Sequence, residues 1–326
     1  MTPILPLIST VPLVAGLLAA VPADQDPALH GGGTGRGAGQ VAPRRVVAEH
    51  TAAATTADLR RALGYWTPER MARALPATLL DVPRAALLPP APPRRLAKPV
   101  TKGSRWAAGG AVSRTTGRVF LTMRGSDYVC SAGAVRSRNM DVVVTAGHCV
   151  KDGTGAWARN WTFVPGYDEG RRPYGAFTAR RMFVPEPWSA KADDSYDLAM
   201  VAVAPSEGRH LAEVVGGQDI AFNRPRGTRT FGFGFPADAP YDGRHLVYCA
   251  GDPHADPHRQ TRDQGIRCDL TAGSSGGPWL SSFDPATGRG VVTSVSSFKY
   301  SDDATTMYGP YFGDHASKLF EAAQSA

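Results

Sequence analysis

The sequence predicts an all-β protein, a barrel or a sandwich, on three observations. From about residue 104 the apolar runs are short: RVFLTM (118–123), DVVVTA (141–146), DLAMVAVA (197–204), RTFGFGF (229–235) and GVVTSVSSF (290–298). They are rich in β-branched and aromatic residues, which suit a pleated, buried surface. Gly, Asp and Asn turn signals separate them, and no regular alternation with helical segments points to an α/β sheet. One late stretch, GDHASKLFEAAQ (313–324), reads instead as a terminal helix, with Asp314 as its cap and Ala316, Leu319, Phe320 and Ala323 on one face.

The rest of the chain divides by composition. It has 326 residues, 42% hydrophobic and 20% charged, which suits a globular protein of one or two domains. The formal charge of +7 sits mainly in the first 100 residues, which carry 11 Lys+Arg against 6 Asp+Glu, leaving 25 against 23 for the remainder. With no basic stripe and interleaved aromatics, a nucleic-acid partner is not expected. Residues 1–23 read as a secretory signal, with an apolar run from Ile4 to Ala20 and the small residues Val21 and Ala23 at its end. Pro6, Pro12 and Pro22 interrupt that run, which argues against a membrane anchor. Residues 24–103 read as a pro-segment and linker: HGGGTGRGAG (30–39) is flexible, LLPPAPPRRLAKP (88–99) is stiff, and the stretch between them has helical pieces broken at Pro68 and Pro76. Thr67-Pro68-Glu69 looks like a capped helix start. Residues 104–326 form the expected body.

Four cysteines, Cys130, Cys149, Cys249 and Cys268, suggest two disulfides in an exported chain. Three pairings are possible; sequence order favours Cys130 with Cys149 and Cys249 with Cys268. Each such bridge would contribute about 3 kcal/mol on the loop-entropy account. A zinc site is the competing reading, and the absence of Cys-x-x-Cys spacing weighs against it. His254 and His258 lie among prolines that forbid a regular helix, so no zinc pair is expected there either.

Three segments carry candidate chemistry. VVVTAGHCV (142–150) ends an apolar run on His148, SYDLAMVAV (195–203) begins one at Asp197, and TAGSSGGPW (271–279) sets a serine pair among glycines. Separately, each has a structural explanation. Together, in the order His, Asp, Ser, they resemble the chymotrypsin/trypsin-like serine protease family, whose signature blocks are T-A-G-H-C, a D-L strand start and G-x-S-G-G-P. Over residues 106–326 the likeness is to the bacterial secreted branch that includes glutamyl endopeptidases.

The resemblance implies two antiparallel six-stranded β-barrels with a C-terminal helix, preceded here by the partly helical pro-segment. It also implies a catalytic triad of His148, Asp197 and Ser275, with the backbone N–H groups of Gly273 and Ser275 forming an oxyanion hole. The chemistry agrees, because a serine hydroxyl needs an adjacent base and an imidazole titrates near the working pH. A carboxylate behind the ring then fixes its tautomer. Ser274 would be a bystander. Asp269 stands where trypsin-like enzymes hold the acid that recognises basic side chains, and Ser294 or Ser296 would buttress Asp197. The expected partner is a peptide or protein substrate met by a secreted monomer. No cofactor, metal or stable membrane association is expected. The rivals are a catalytically silent extracellular binding module on the same fold and an esterase using the same triad.

The chain departs from the family pattern at Ser274, where trypsin-like members carry an aspartate that pairs with a newly freed N-terminus. No Ile-Val-Gly-Gly stretch is present either; RRVVAEH (44–50) is the nearest. Both absences fit one expectation, an oxyanion hole formed without N-terminal insertion.

Overall fold

A computed structural model describes residues 46–77, 80–82 and 102–326. The expected signal and the two Gly- and Pro-rich linkers lie outside these residues, and so does most of the stretch after Ala77. The described part of residues 24–103 is an ordered arm. It comprises strand β1 (Val47–Thr51), helices α1 (Thr56–Tyr65) and α2 (Pro68–Arg73), and the short strands β2 (Leu75–Pro76) and β3 (Leu80–Val82). Thr67 caps α2 by accepting from the Arg70 N–H, with Pro68 at the first helical position as its fixed φ permits.

After the two-residue strand β4 (Ser104–Arg105), a closed barrel forms from β5 (Thr116–Met123), β6 (Ser126–Ala134), β7 (Val142–Thr145), β8 (Arg159–Pro165), β9 (Phe177–Pro185) and β10 (Ala199–Val203). Its ring of antiparallel neighbours runs β5-β6-β7-β10-β9-β8 and returns to β5. The β5–β6 hairpin turns on Arg124 and Gly125, both at positive φ (51° and 82°), the backbone of a two-residue turn whose twist matches the strands. The runs that read as continuously apolar do so because both faces are buried. Val143, Val201 and Val203 fill the barrel, whereas Val142, Val144, Met200 and Ala202 join a second cluster with Phe233, Leu280, Val292 and Leu319.

The second half adds β11 (Asp219–Ile220), β12 (Thr230–Gly234), β13 (Val247–Gly251), β14 (His254–Ala255), β15 (Gln264–Arg267), β16 (Pro278–Asp284), β17 (Arg289–Val295), β18 (Phe298–Tyr300) and β19 (Thr306–Gly309). Where the resemblance implies a second six-stranded ring, the ladders divide into two sheets, β11-β17-β16-β12-β13-β4 and β14-β15-β19-β18-β3. The Cys249–Cys268 disulfide ties β13 to the end of β15 and so joins the two sheets; Cys130–Cys149 ties β6 to the turn after β7. Both pairings are those that sequence order favours.

The terminal helix, Asp314–Gln324, buries Ala316, Leu319, Phe320 and Ala323 as expected. Its cap is Gly313 rather than Asp314, whose carboxylate instead accepts from the Asn223 amide. Among the described residues, no helix is long and apolar enough to cross a membrane.

Candidate active site

His148 sits in a single 3-10 turn, Gly147–Cys149, directly after β7. The turn is held from several sides. Cys149 is bonded to Cys130, and the Trp161 indole N–H donates to the Cys149 carbonyl at 3.0 Å. Gly147 is needed for close approach, because a Cβ there would lie 2.9 Å from Asp197 Oδ1 and 3.0 Å from Trp188 Nε1.

Asp197 follows the turn Asp194–Tyr196 and precedes β10, and it is fully buried. Its Oδ2 meets His148 Nδ1 at 2.7 Å, and its Oδ1 accepts the His148 main-chain N–H at 2.7 Å. A carboxylate can only accept from the neutral ring, so Nδ1 carries the hydrogen and Nε2 keeps its lone pair. Burial by itself would raise the Asp197 carboxyl. The facing imidazole, together with hydrogen bonds from His148 and Ser297, outweighs burial and holds it below the ordinary carboxylate value. At Asp194, three residues earlier, burial and the neighbouring Asp197 and Asp193 outweigh the opposing His148 and push the carboxyl up to about 6.

The serine loop is shaped by its glycines. Gly273 has φ +92°, and a Cβ there would meet the Phe235 carbonyl and Ala237 Cβ, each at 2.9 Å. Gly276 has φ +79°, and its Cβ would collide with Thr145 Oγ1 at 2.0 Å. Gly276 thereby lets the loop lie directly on the barrel. Ser131 pins the loop there, its N–H donating to the Ser275 carbonyl at 2.8 Å and its hydroxyl to the Gly273 carbonyl at 2.9 Å. The Ser274 hydroxyl is spent on the Thr271 carbonyl at 2.7 Å. In contrast, Ser275 Oγ and His148 Nε2 are both buried without a hydrogen-bond partner. Buried orphans of this kind are uncommon and costly.

Other expectations need correction. Neither Ser294 nor Ser296 supports Asp197. Ser294 donates to the Pro310 carbonyl at 2.9 Å, and Ser296 accepts from the Trp279 indole at 3.0 Å. The residue that donates to Asp197 Oδ2 is Ser297, beyond the end of β17, which the sequence reading did not select. Strand alternation offered no signal for it, because the chain leaves the regular ladder at Val295. Asp269 is engaged within the chain, accepting the Gly103 N–H and the Tyr241 hydroxyl, each at 2.7 Å. Lys299, on β18, was also missed. It is buried, donates to the Ala304 carbonyl at 2.6 Å, and is pushed by burial down to about 8, with Asp269 and Asp303 opposing.

The site thus joins a buried His–Asp pair and a glycine-shaped serine loop to a closed antiparallel barrel that is followed by a second β half. No family model matches the chain. Protease Anisep from Arthrobacter nicotinovorans is 39% identical, superposes with a TM-score of 0.63, and is covered over 96% of its length by 65% of this chain. A thermostable serine protease, AL20, from an extremophilic microorganism is 37% identical, with a TM-score of 0.63 and coverage of 99% of its chain by 66% of this one. A Glu endopeptidase shares the fold at 18% identity and a TM-score of 0.56, covering 69% of this chain and 97% of its own. The chain belongs to the chymotrypsin-like serine protease family.

An extracellular metalloprotease of Bacillus subtilis (strain 168) is 29% identical over 116 residues, so that the match spans about a third (36%) of that curated relative and 36% of this chain. The metal in that relative's name finds no donor set here among the described residues. The one grouping of ligand-type atoms within 4.8 Å is Cys130, Cys149 and His148, and both sulfurs are consumed by the disulfide. That leaves one imidazole of the grouping as a donor, fewer than the three or four protein ligands of a zinc site.

Proposed function

We propose that the protein is a secreted serine endopeptidase that hydrolyses peptide bonds through an acyl-enzyme intermediate. Ser275 is the nucleophile, His148 the general base and then the general acid, and Asp197 the group that orients the ring and stabilises the imidazolium. The N–H groups of Gly273 and Ser275 receive the developing oxyanion, each such donor supplying about 3–4 kcal/mol to the transition state. An extended substrate enters by strand addition beside β18. The observation that carries this reading is the buried His148–Asp197 pair at 2.7 Å, whose outer nitrogen and the Ser275 hydroxyl both lack partners.

Residues 1–23 act as the export signal, 24–103 as a removable segment and 104–326 as the monomeric catalytic domain. The two disulfides and the partial likeness to an extracellular protease of Bacillus subtilis support an extracellular site of action. The test is active-site labelling with a fluorophosphonate, together with cleavage of a peptide library by secreted protein. Labelling and peptide cleavage are expected, and both are lost in Ser275→Ala. Labelling that survives Ser275→Ala, or an activity confined to simple esters, would refute the assignment.

A further inference from the structure

The arm does not end on the outside of the barrel. β1 pairs with β9 over five residues, and Trp66 is buried with its indole N–H on the Asn160 carbonyl at 2.6 Å. From that anchorage the backbone goes inward. β2 runs parallel to β6, with Leu75 opposite Tyr128 and Pro76 opposite Val129. The Ala77 N–H donates to the Val129 carbonyl at 2.9 Å, and the Ala77 carbonyl accepts from the Gly273 N–H at 3.3 Å. Gly273 is the donor that the proposed mechanism assigns to the oxyanion. β3 then lies parallel on β18, from Leu80 opposite Phe298 to Val82 opposite Tyr300, and β18 begins one residue after Ser297, the partner of Asp197.

Direction is the informative feature. The amine leaving the tetrahedral intermediate must face the imidazole that protonates it. β6 flanks that side, because its Cys130 is bonded to Cys149, the neighbour of His148. A cleavable chain therefore keeps its acyl half on β18 and its departing half on β6, running from β18 to β6. The arm runs the other way, from β6 to β18.

Resting on the serine-endopeptidase reading, we propose that Leu75–Ala77 and Leu80–Val82 form a built-in peptide inhibitor laid through the cleft in the direction opposite to a substrate. The Ala77 carbonyl occupies an oxyanion donor, so an incoming peptide finds that donor and the β18 edge already paired. The reversed direction explains why the arm survives its position. Attack at the Ala77 carbonyl would expel the following nitrogen toward β18, away from the His148 imidazole that protonates a leaving amine in the proposed mechanism. Because the arm is tethered and anchored at Trp66 and β1, it is present at a high effective concentration and excludes peptides that bind weakly. The ligand class of this cleft thus includes a reversed extended peptide with a small residue at the oxyanion site.

The test uses the full chain and the rate of fluorophosphonate labelling at Ser275. Two variants loosen the inhibitor without touching the triad. Ala77→Pro removes the N–H that binds Val129, and combined Leu80→Gly, Asp81→Gly and Val82→Gly weakens the strand on β18. Both are expected to label at least tenfold faster than the parent, with an unchanged thermal transition of the body. Equal rates in parent and variants would overturn the inhibitor while leaving the serine-hydrolase reading intact. No labelling of any form, even after limited proteolysis of the arm, would overturn the function itself and this inference with it. Cleavage of the peptide bond after Ala77 in the parent but not in Ser275→Ala would overturn the reversed direction.

Discussion

Ser297→Ala isolates one hydrogen bond to a buried charge. The Ser297 hydroxyl donates to Asp197 Oδ2, the same oxygen that meets His148 Nδ1 at 2.7 Å, and the carboxylate is fully buried. A hydrogen bond to a charged group is worth about 1.5–3 kcal/mol, and removing one partner leaves the other without full compensation. Taking about 2 kcal/mol, the melting temperature should fall by roughly 4–8 °C at neutral pH. The sign with pH follows from the carboxyl being held below its ordinary value in the folded chain. Its stabilisation is present above the unfolded carboxylate pKa, near 4, and is lost as pH falls through the folded value. Ser297→Ala removes part of that stabilisation. The gap between parent and variant is therefore full at pH 7 and closes as the solution is acidified. Denaturation followed from pH 7 down to the acid limit measures this, with Ser294→Ala and Ser296→Ala as controls whose hydroxyls serve Pro310 and Trp279. A gap independent of pH, or an equal pH-dependent gap in either control, would refute the assignment of Ser297 to Asp197.

Two further outcomes are expected. Gly273→Ala forces a side chain onto a φ of +92° and against the Phe235 carbonyl, costing about 1–3 kcal/mol of stability. On the proposed mechanism it also displaces an oxyanion donor, so peptidase kcat should fall about 10²–10³-fold with a smaller change in KM, as steady-state kinetics would show. Lys299→Met addresses the buried ammonium that is pushed down to about 8. A depressed lysine binds its proton less tightly folded than unfolded, so the parent gains stability as pH rises from about 8 toward the ordinary value near 10.4. Thermal melts across that window should lose this rise in the variant.

Much of the architecture was legible because it depends on local pattern. Short apolar runs between turn signals marked the strands, and burial of both faces explains why DVVVTA and DLAMVAVA show no polar alternation. The spacing of His148, Asp197 and Ser275 between those runs was visible for the same reason: each residue stands where a strand begins or ends, and strand ends are readable. Ser297 was not, because its choice over Ser294 and Ser296 depends on how the backbone turns after β17. Asp269 matched a pattern by position, yet its oxygen is taken by Gly103 and Tyr241, which lie far from it in sequence.

By itself, then, the sequence determined the β class and the order of the cysteine bridges, which rest on residue type and near-neighbour spacing, and it singled out the residues proposed for acyl transfer. Only the tertiary structure decided which serine meets the buried carboxylate, how the second half splits into two stapled sheets, and that the arm threads the cleft from β6 to β18. Those outcomes depend on strand direction and on contacts between distant segments, where each backbone group takes whichever partner the completed packing leaves within hydrogen-bond reach.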